Sequence, residues 1–315
     1  MRIYFYFIII FIFIGNLNPK SLEEKMNNCI IYLANENLMY KEIYNQIKHL
    51  DDIYNNNEKT RIEEKFKIYR KLNSIRKPGN LSQSYIKDES FLLTLNKQKG
   101  IIKINDLRPS INLISTERHK LLSLFNNIYL WKGDITRLKI DAIVNAGNNQ
   151  LLGCWNPLHN CIDNIIHSYA GVQLRNEMNE IMLTQGKLEE TGKAKISKGY
   201  YLLSKYIIHT VGPIVNGPLT MKHKKLLENS YISILKLAEE NDIKTLAFCC
   251  ISTGVFNFPN EEAANIAINT VYNFLQNNRE MKIIFSVYKD IDEIIYIKKL
   301  KEKMNDILNN ITDEM

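Results

Sequence analysis

The chain has few of the features that mark several protein classes. Its 315 residues include five cysteines, Cys29, Cys154, Cys161, Cys249 and Cys250. An odd number without framework spacing does not describe a disulfide scaffold and fits a reducing, cytoplasmic setting. Charge of one sign is also scarce, with 41 basic residues against 34 acidic ones and a formal charge of +7. That excess is dispersed, and no basic run interleaved with aromatics is long enough to follow a nucleic-acid strand. No nucleic-acid partner is therefore expected, although the charge suits a small polyanion such as a dinucleotide. Internal repeats are absent. Residues 1–14 are almost wholly apolar but too few to span a bilayer as a helix. One positive charge before an apolar core is the pattern of a signal peptide, yet Phe13-Ile14-Gly15-Asn16 is a poor cleavage site. Residues 1–20 are read as an atypical N-terminal segment, with secretion or a membrane tether by residues 1–14 as the less favoured alternative.

What is present is an ordinary apolar content of 45%, enough for a substantial core. Residues 21–125 are rich in Glu, Lys, Asn, Leu and Ile. Apolar positions there fall at helical spacing over 33–50 and 61–75, and Lys77-Pro78-Gly79-Asn80 breaks the pattern. The segment is read as helical. Beyond it, apolar strands are expected near 128–132, 141–145, 206–211, 245–251 and 282–287, and helices over 164–184, 222–241, 260–277 and 290–310. This alternation predicts an α/β layered fold for residues 126–315.

One loop concentrates the chemistry. Cys154, His159 and Cys161 stand within eight residues, spaced Cys-x4-His-x-Cys, after an apolar strand. His159 and Cys161 are too close in sequence to share a helix face, and Pro157 argues against a helix, so the three converge through loop geometry. Two thiolates and a neutral imidazole balance a dication and suit zinc. Three ligands leave zinc one position short of four, which points to chemistry more than to scaffolding. Two plainer readings stay open. The three could be unrelated residues, or a structural zinc could draw a fourth ligand from Cys249, Cys250 or His167.

Other polar residues carry comparable alternatives. Asp134 follows an aromatic strand and is also a natural turn or cap residue. Asn145 is expected to be structural, and Asn148 less so. Asp163 precedes the helical run Ile165, Ile166, Tyr169, Ala170 and Leu174 and could be its N-cap. His167 is read as a packing residue inside that helix, and His209 as a buried, hydrogen-bonded histidine at a strand end. Ser252-Thr253-Gly254-Val255 lies between an apolar run and a helix starting near Asn260, where backbone amides can cradle phosphate. Phe256 and Phe258 could both be core.

Four segments, in order, give the chain a family resemblance. Trp131-Lys132-Gly133-Asp134-Ile135-Thr136 with Asp141-Ala142-Ile143-Val144-Asn145-Ala146-Gly147-Asn148 resembles the opening of a macrodomain. Ile208-His209-Thr210-Val211-Gly212-Pro213 resembles its middle strand. Cys250-Ile251-Ser252-Thr253-Gly254-Val255-Phe256-Asn257-Phe258-Pro259 resembles its phosphate loop. The Gly153 to Asn164 stretch, with Cys154, His159 and Cys161, resembles the signature of the zinc-dependent macrodomains. Leu72-Asn73-Ser74-Ile75-Arg76-Lys77-Pro78 is similar to a segment of the helical extension found in that subgroup. Gly147 departs from the pattern, which usually has alanine there.

The resemblance implies a three-layer α/β/α macrodomain with a mixed sheet, preceded by a helical extension. It implies a zinc-dependent hydrolase that binds ADP-ribose and removes mono-ADP-ribose from modified proteins. Asp134 would accept from the adenine amino group, with Ile135 beside it. Asn148 would contact the distal ribose and share the catalytic work with Asp163. Ser252, Thr253, Gly254, Val255 and Phe256 would wrap the diphosphate, and Cys154, His159 and Cys161 would hold Zn2+ by the ribose. Two other functions compete: a module that reads ADP-ribose without cleaving it, and an interaction protein built around a structural zinc.

Overall fold

The computed structural model describes residues 19–97, 100–114 and 119–313. The apolar run at residues 1–14 lies outside them. No helix among the described residues is long and apolar enough to cross a membrane. The chain divides into two compact units. One takes the residues up to 101 with 152–180 and 200–202, and the other takes 102–151, 181–199 and 203 onward.

The first unit is helical. α1 (Pro19–Glu36) buries Leu22, Met26, Cys29, Ile30 and Leu33, a stripe at spacings of three and four. The helix expected over 33–50 is two helices, because α1 stops and α2 (Tyr40–Ile53) begins afresh. Leu38 takes a φ of +56°, and the Met39 N–H donates to the Ala34 carbonyl at 2.8 Å. A left-handed residue closing a helix this way is usually glycine or asparagine, which is why an apolar pattern concealed the break. α3 (Glu58–Ile75) is capped by Asn57, whose side chain accepts from the Thr60 N–H at 3.2 Å. It ends ahead of Pro78, with Arg76 already extended. α4 (Gln83–Lys97) stacks Tyr85 on Tyr32 of α1, ring centroids 4.4 Å apart.

The single helix expected over 164–184 is also two, α5 (Ile162–Ala170) and α6 (Val172–Gln185). Gly171 stands between them with φ +87°. A Cβ there would meet Tyr201 Cδ2 at 2.8 Å and Glu89 Oε2 at 2.9 Å. Fully buried Glu89 accepts from Tyr69 and Tyr85 hydroxyls at 2.6 and 2.8 Å and from the Val172 N–H at 3.2 Å. Its carboxyl is thus pinned at the start of α6, where unpaired helix N–H groups favour an acceptor.

The second unit is built on a six-stranded sheet in the order β2-β8-β7-β4-β6-β5. A short parallel pair, β1 (Ile102–Lys103) with β3 (Leu138–Lys139), lies outside it. β2 (Ile128–Lys132), β8 (Lys282–Val287), β7 (Thr245–Phe248), β4 (Ala142–Ala146) and β6 (Tyr206–Thr210) run parallel. Ile143, Val144, Ile283, Ile284 and Phe285 are buried, as expected of parallel strands covered on both faces. The strand expected over 245–251 ends at Phe248, where the chain turns into a loop. β5 (Ala194–Lys198), antiparallel to β6, was not anticipated. It is an edge strand with lysines at Lys195 and Lys198, too short and polar to register as an apolar run. α7 (Met221–Glu240), α8 (Asn260–Leu275) and α9 (Asp290–Asp313) complete this unit. The result is the expected α/β fold with a mixed sheet, together with a helical N-terminal part.

Candidate functional site

The loops after β2, β4, β6, β7 and β8 all leave the carboxyl edge of the parallel strands, where α/β sheets bind ligands. After β2, Asp134 caps a short turn over Ile135–Arg137. Its Oδ1 accepts from the Thr136 N–H at 3.0 Å and from the Thr136 hydroxyl at 2.7 Å, and Arg137 Nε lies 3.7 Å from Oδ2. The turn role weighed from sequence is therefore filled, with the carboxylate held in a defined orientation. Ile135 beside it is buried.

Tyr288 leaves the neighbouring strand. Lys132 and Val287 are in register, and the Gly133 N–H donates to the Val287 carbonyl at 3.0 Å. Tyr288 is 54% exposed, an aromatic face on the same rim as Asp134. Sequence reasoning missed it; the available signal was an aromatic directly after an apolar strand.

After β4, Asn145 is buried and its amide hydrogen-bonds His209 Nδ1 at 3.1 Å. Ser197 Oγ lies 2.8 Å from His209 Nε2. Both residues are structural, as their sequence positions suggested, and burial lowers the His209 pKa to about 3. Asn148 accepts from the Gln150 N–H at 2.9 Å through its side chain and from the Leu151 N–H at 3.1 Å through its carbonyl. A tight turn thus fixes its half-buried side chain.

The loop after β7 is held open by left-handed residues at both ends, Ser252 with φ +66° and Asn257 with φ +55°. For non-glycine residues this costs roughly 1–2 kcal/mol each, and such strain collects at functional loops. The Phe258 N–H donates to the Ser252 carbonyl at 3.0 Å, and the Val215 N–H to the Phe256 carbonyl at 2.9 Å. Gly254 and Val255 are exposed at the tip and Phe256 is half-buried. Phe258 is core. Ser252 is buried, and its Oγ has no hydrogen-bond partner among the described residues. A buried hydroxyl left so in a strained loop suits a phosphate oxygen.

In the first unit the three candidate ligands come together. Every pair among Cys154 Sγ, the His159 ring nitrogen and Cys161 Sγ lies within 4.8 Å. His167, in the same unit, is not part of this cluster. Local turns explain the convergence. The His159 N–H donates to the Asn156 carbonyl at 3.2 Å, with Pro157 and the left-handed Leu158 (φ +58°) between them. Proline followed by a positive φ is the arrangement of a type II turn. Cys161, not Asp163, is the N-cap of α5, its Sγ accepting from the Asn164 N–H at 3.4 Å.

The donor set fits zinc. Cys154 Sγ lies 3.7 Å from His159 Nδ1. Tetrahedral zinc with ordinary Zn–S and Zn–N lengths places sulfur and nitrogen about 3.6 Å apart. Burial pushes the Cys161 thiol up to about 12, so binding a cation there would displace a proton. Asp163 is buried one position into α5, its Oδ1 3.5 Å from His167 Nε2. Gly153, with φ +86°, packs so closely on the His167 ring that a Cβ would lie 2.8 Å from its Cγ.

The Macro domain family matches residues 144–267. A protein-ADP-ribose hydrolase of Treponema medium is 47% identical over 233 residues, covering 73% of this chain and 85% of that protein. One of Staphylococcus aureus strain COL is 43% identical over 236 residues, covering 74% and 84%. Among solved structures, the Oceanobacillus iheyensis macrodomain with ADP is 36% identical, with a TM-score of 0.53 over 57% of this chain and 92% of that one. The Trypanosoma brucei macrodomain in complex with ADP-ribose is 27% identical, with a TM-score of 0.55 over 72% and 94%.

Proposed function

The chain belongs to the macro domain family, and on that premise we propose that it is a zinc-dependent hydrolase that releases mono-ADP-ribose from modified proteins. The observation that carries the reading is the convergence of Cys154, His159 and Cys161 in a chain whose relatives are named protein-ADP-ribose hydrolases. A module that only reads ADP-ribose has no need of such a cluster.

The second unit would hold the ligand. Asp134 would accept from the adenine amino group, and Tyr288 offers an aromatic face beside it. Ser252 Oγ and the loop over Thr253, Gly254, Val255 and Phe256 would take the diphosphate, and Asn148 would fix the distal ribose. Zinc held by Cys154, His159 and Cys161 would supply Lewis acidity to the glycosidic centre. In the overall reaction the bond from the anomeric carbon to the protein side chain breaks. Water gives its hydroxyl to that carbon and its proton to the departing side chain. Asp163, kept in place by burial and by His167, would assist the proton transfer. A reducing, cytoplasmic setting is part of the proposal, because it would keep the thiols of such a site from oxidation.

The test is Cys154→Ser and His159→Ala. Each should lower release of ADP-ribose from a mono-ADP-ribosylated protein by roughly a hundredfold or more, since metal catalysis contributes several kcal/mol. The affinity for free ADP-ribose, read by calorimetry, should stay near that of the unaltered protein. Full hydrolysis by either variant removes the zinc role and leaves a metal-independent hydrolase.

A further inference from the structure

Arg175, on α6, is a buried cation whose contacts are almost all backbone carbonyls. Its Nε donates to the Leu152 carbonyl at 2.6 Å. Its Nη1 donates to the carbonyls of Asn73 at 2.6 Å and Arg76 at 2.7 Å. The guanidinium carbon lies 4.5 Å from the Trp155 ring centroid, a cation–π contact. Leu152 and Trp155 flank Cys154 in sequence, and Asn73 and Arg76 form the carboxyl end of α3 with the turn that follows. One side chain therefore ties the metal loop to the helical N-terminal segment.

Two further contacts reinforce the tie. Arg70 of α3 donates to Asn164 Oδ1 at 3.2 Å. Asn164 in turn gives its backbone N–H to Cys161 Sγ and its side-chain amide to the Asn156 carbonyl at 3.1 Å. The α3 end is itself held firmly. Arg76 pairs with Glu36 at 2.6 Å and donates to the carbonyls of Lys77, Gly79 and Asn80. Asn176, next to Arg175, donates to the Gly79 carbonyl at 2.7 Å. Few side chains could replace the arginine, because a planar fork reaches three carbonyls while its face lies on an indole.

We propose that Arg175 is a positioning residue that holds the Cys154–His159–Cys161 loop in its metal-binding shape by fastening it to the end of α3. The helical extension is thereby a working part of the metal site. This rests on the reading that the three residues bind zinc.

Such supports are worth roughly tenfold to a hundredfold in metal affinity. Arg175→Lys keeps the charge but loses the fork and the stacked plane. Trp155→Leu keeps the fork and removes only the stacked ring, and it serves if the lysine variant folds poorly. Metal binding is measured on the full chain by competition between protein and a chromophoric zinc chelator, and by the absorption of the Co2+-loaded protein. Free ADP-ribose affinity is the control for folding.

The inference expects Arg175→Lys to bind zinc ten- to a hundredfold more weakly with ADP-ribose affinity unchanged, and Trp155→Leu to fall between it and the unaltered chain. At limiting zinc kcat should fall while KM holds, and added zinc should restore kcat. If the unaltered chain binds zinc tightly and both folded variants bind it equally well, the positioning role is wrong and the zinc reading stands. If the unaltered chain binds neither Zn2+ nor Co2+ at this loop, the zinc reading fails and the positioning role with it.

Discussion

At the scale of single residues, the buried histidine shows how a polar group becomes architecture. His209 is fully buried between Asn145 and Ser197, and burial lowers its pKa to about 3 against 6.5 for a free side chain. The unfolded chain therefore takes up a proton below pH 6.5 that the folded chain refuses until about pH 3. The stability is complete above 6.5 and falls as the pH drops through that window, by about 2 kcal/mol between pH 7 and pH 5. Urea unfolding at the two pH values should show this extra loss in the unaltered protein and not in His209→Gln. Equal losses in both would mean that His209 is charged in the folded state. The cluster of Cys154, His159 and Cys161 was legible because their spacing is local and Pro157 with Leu158 folds it back through one turn. Arg175 was not, because carbonyls are its hydrogen-bond partners and every residue has one, so no sequence pattern points to its role.

At the scale of elements, the loop after β7, proposed to take the diphosphate, depends on the segment after β6. A Cβ on Gly212 would fall 2.1 Å from Ser252 Oγ and 2.8 Å from Ile251 Cγ2. Gly212→Ala must therefore turn the serine hydroxyl away from its position while the sheet stays paired. Losing one hydrogen bond to a charged phosphate costs about 1.5–3 kcal/mol, so affinity for ADP-ribose should fall by roughly tenfold to a hundredfold. Calorimetry on the variant checks this, and unchanged affinity would remove Ser252 from the diphosphate site. The strands and most helices were legible because burial on both faces gives continuous apolar runs and burial on one gives a stripe. The two helix breaks were not. Leu38 and Gly171 end helices through backbone conformation while the apolar spacing runs on across the break, and Gly171 also yields to the bulk of Tyr201 and Glu89. β5 escaped because its pairing with β6 is a tertiary property of a short, lysine-bearing edge.

At the scale of the whole molecule, two kinds of chemistry occupy two units of one chain. The second unit offers a strained loop with a buried serine hydroxyl and a rim bearing Asp134 and Tyr288. The first offers a thiol–imidazole cluster, with the end of α3 proposed as its support. Five residues separate Asn148 from Cys154, so in sequence the turn proposed to fix the ribose leads directly into the loop proposed to hold the metal. The central claim is that release of ADP-ribose needs zinc while binding does not. The most direct measurement is release from a mono-ADP-ribosylated protein before and after treatment with a zinc chelator, alongside titration with free ADP-ribose. The account predicts that release stops on chelation and returns with added Zn2+, with ADP-ribose affinity and fold largely retained. Undiminished release after complete removal of the metal would contradict it.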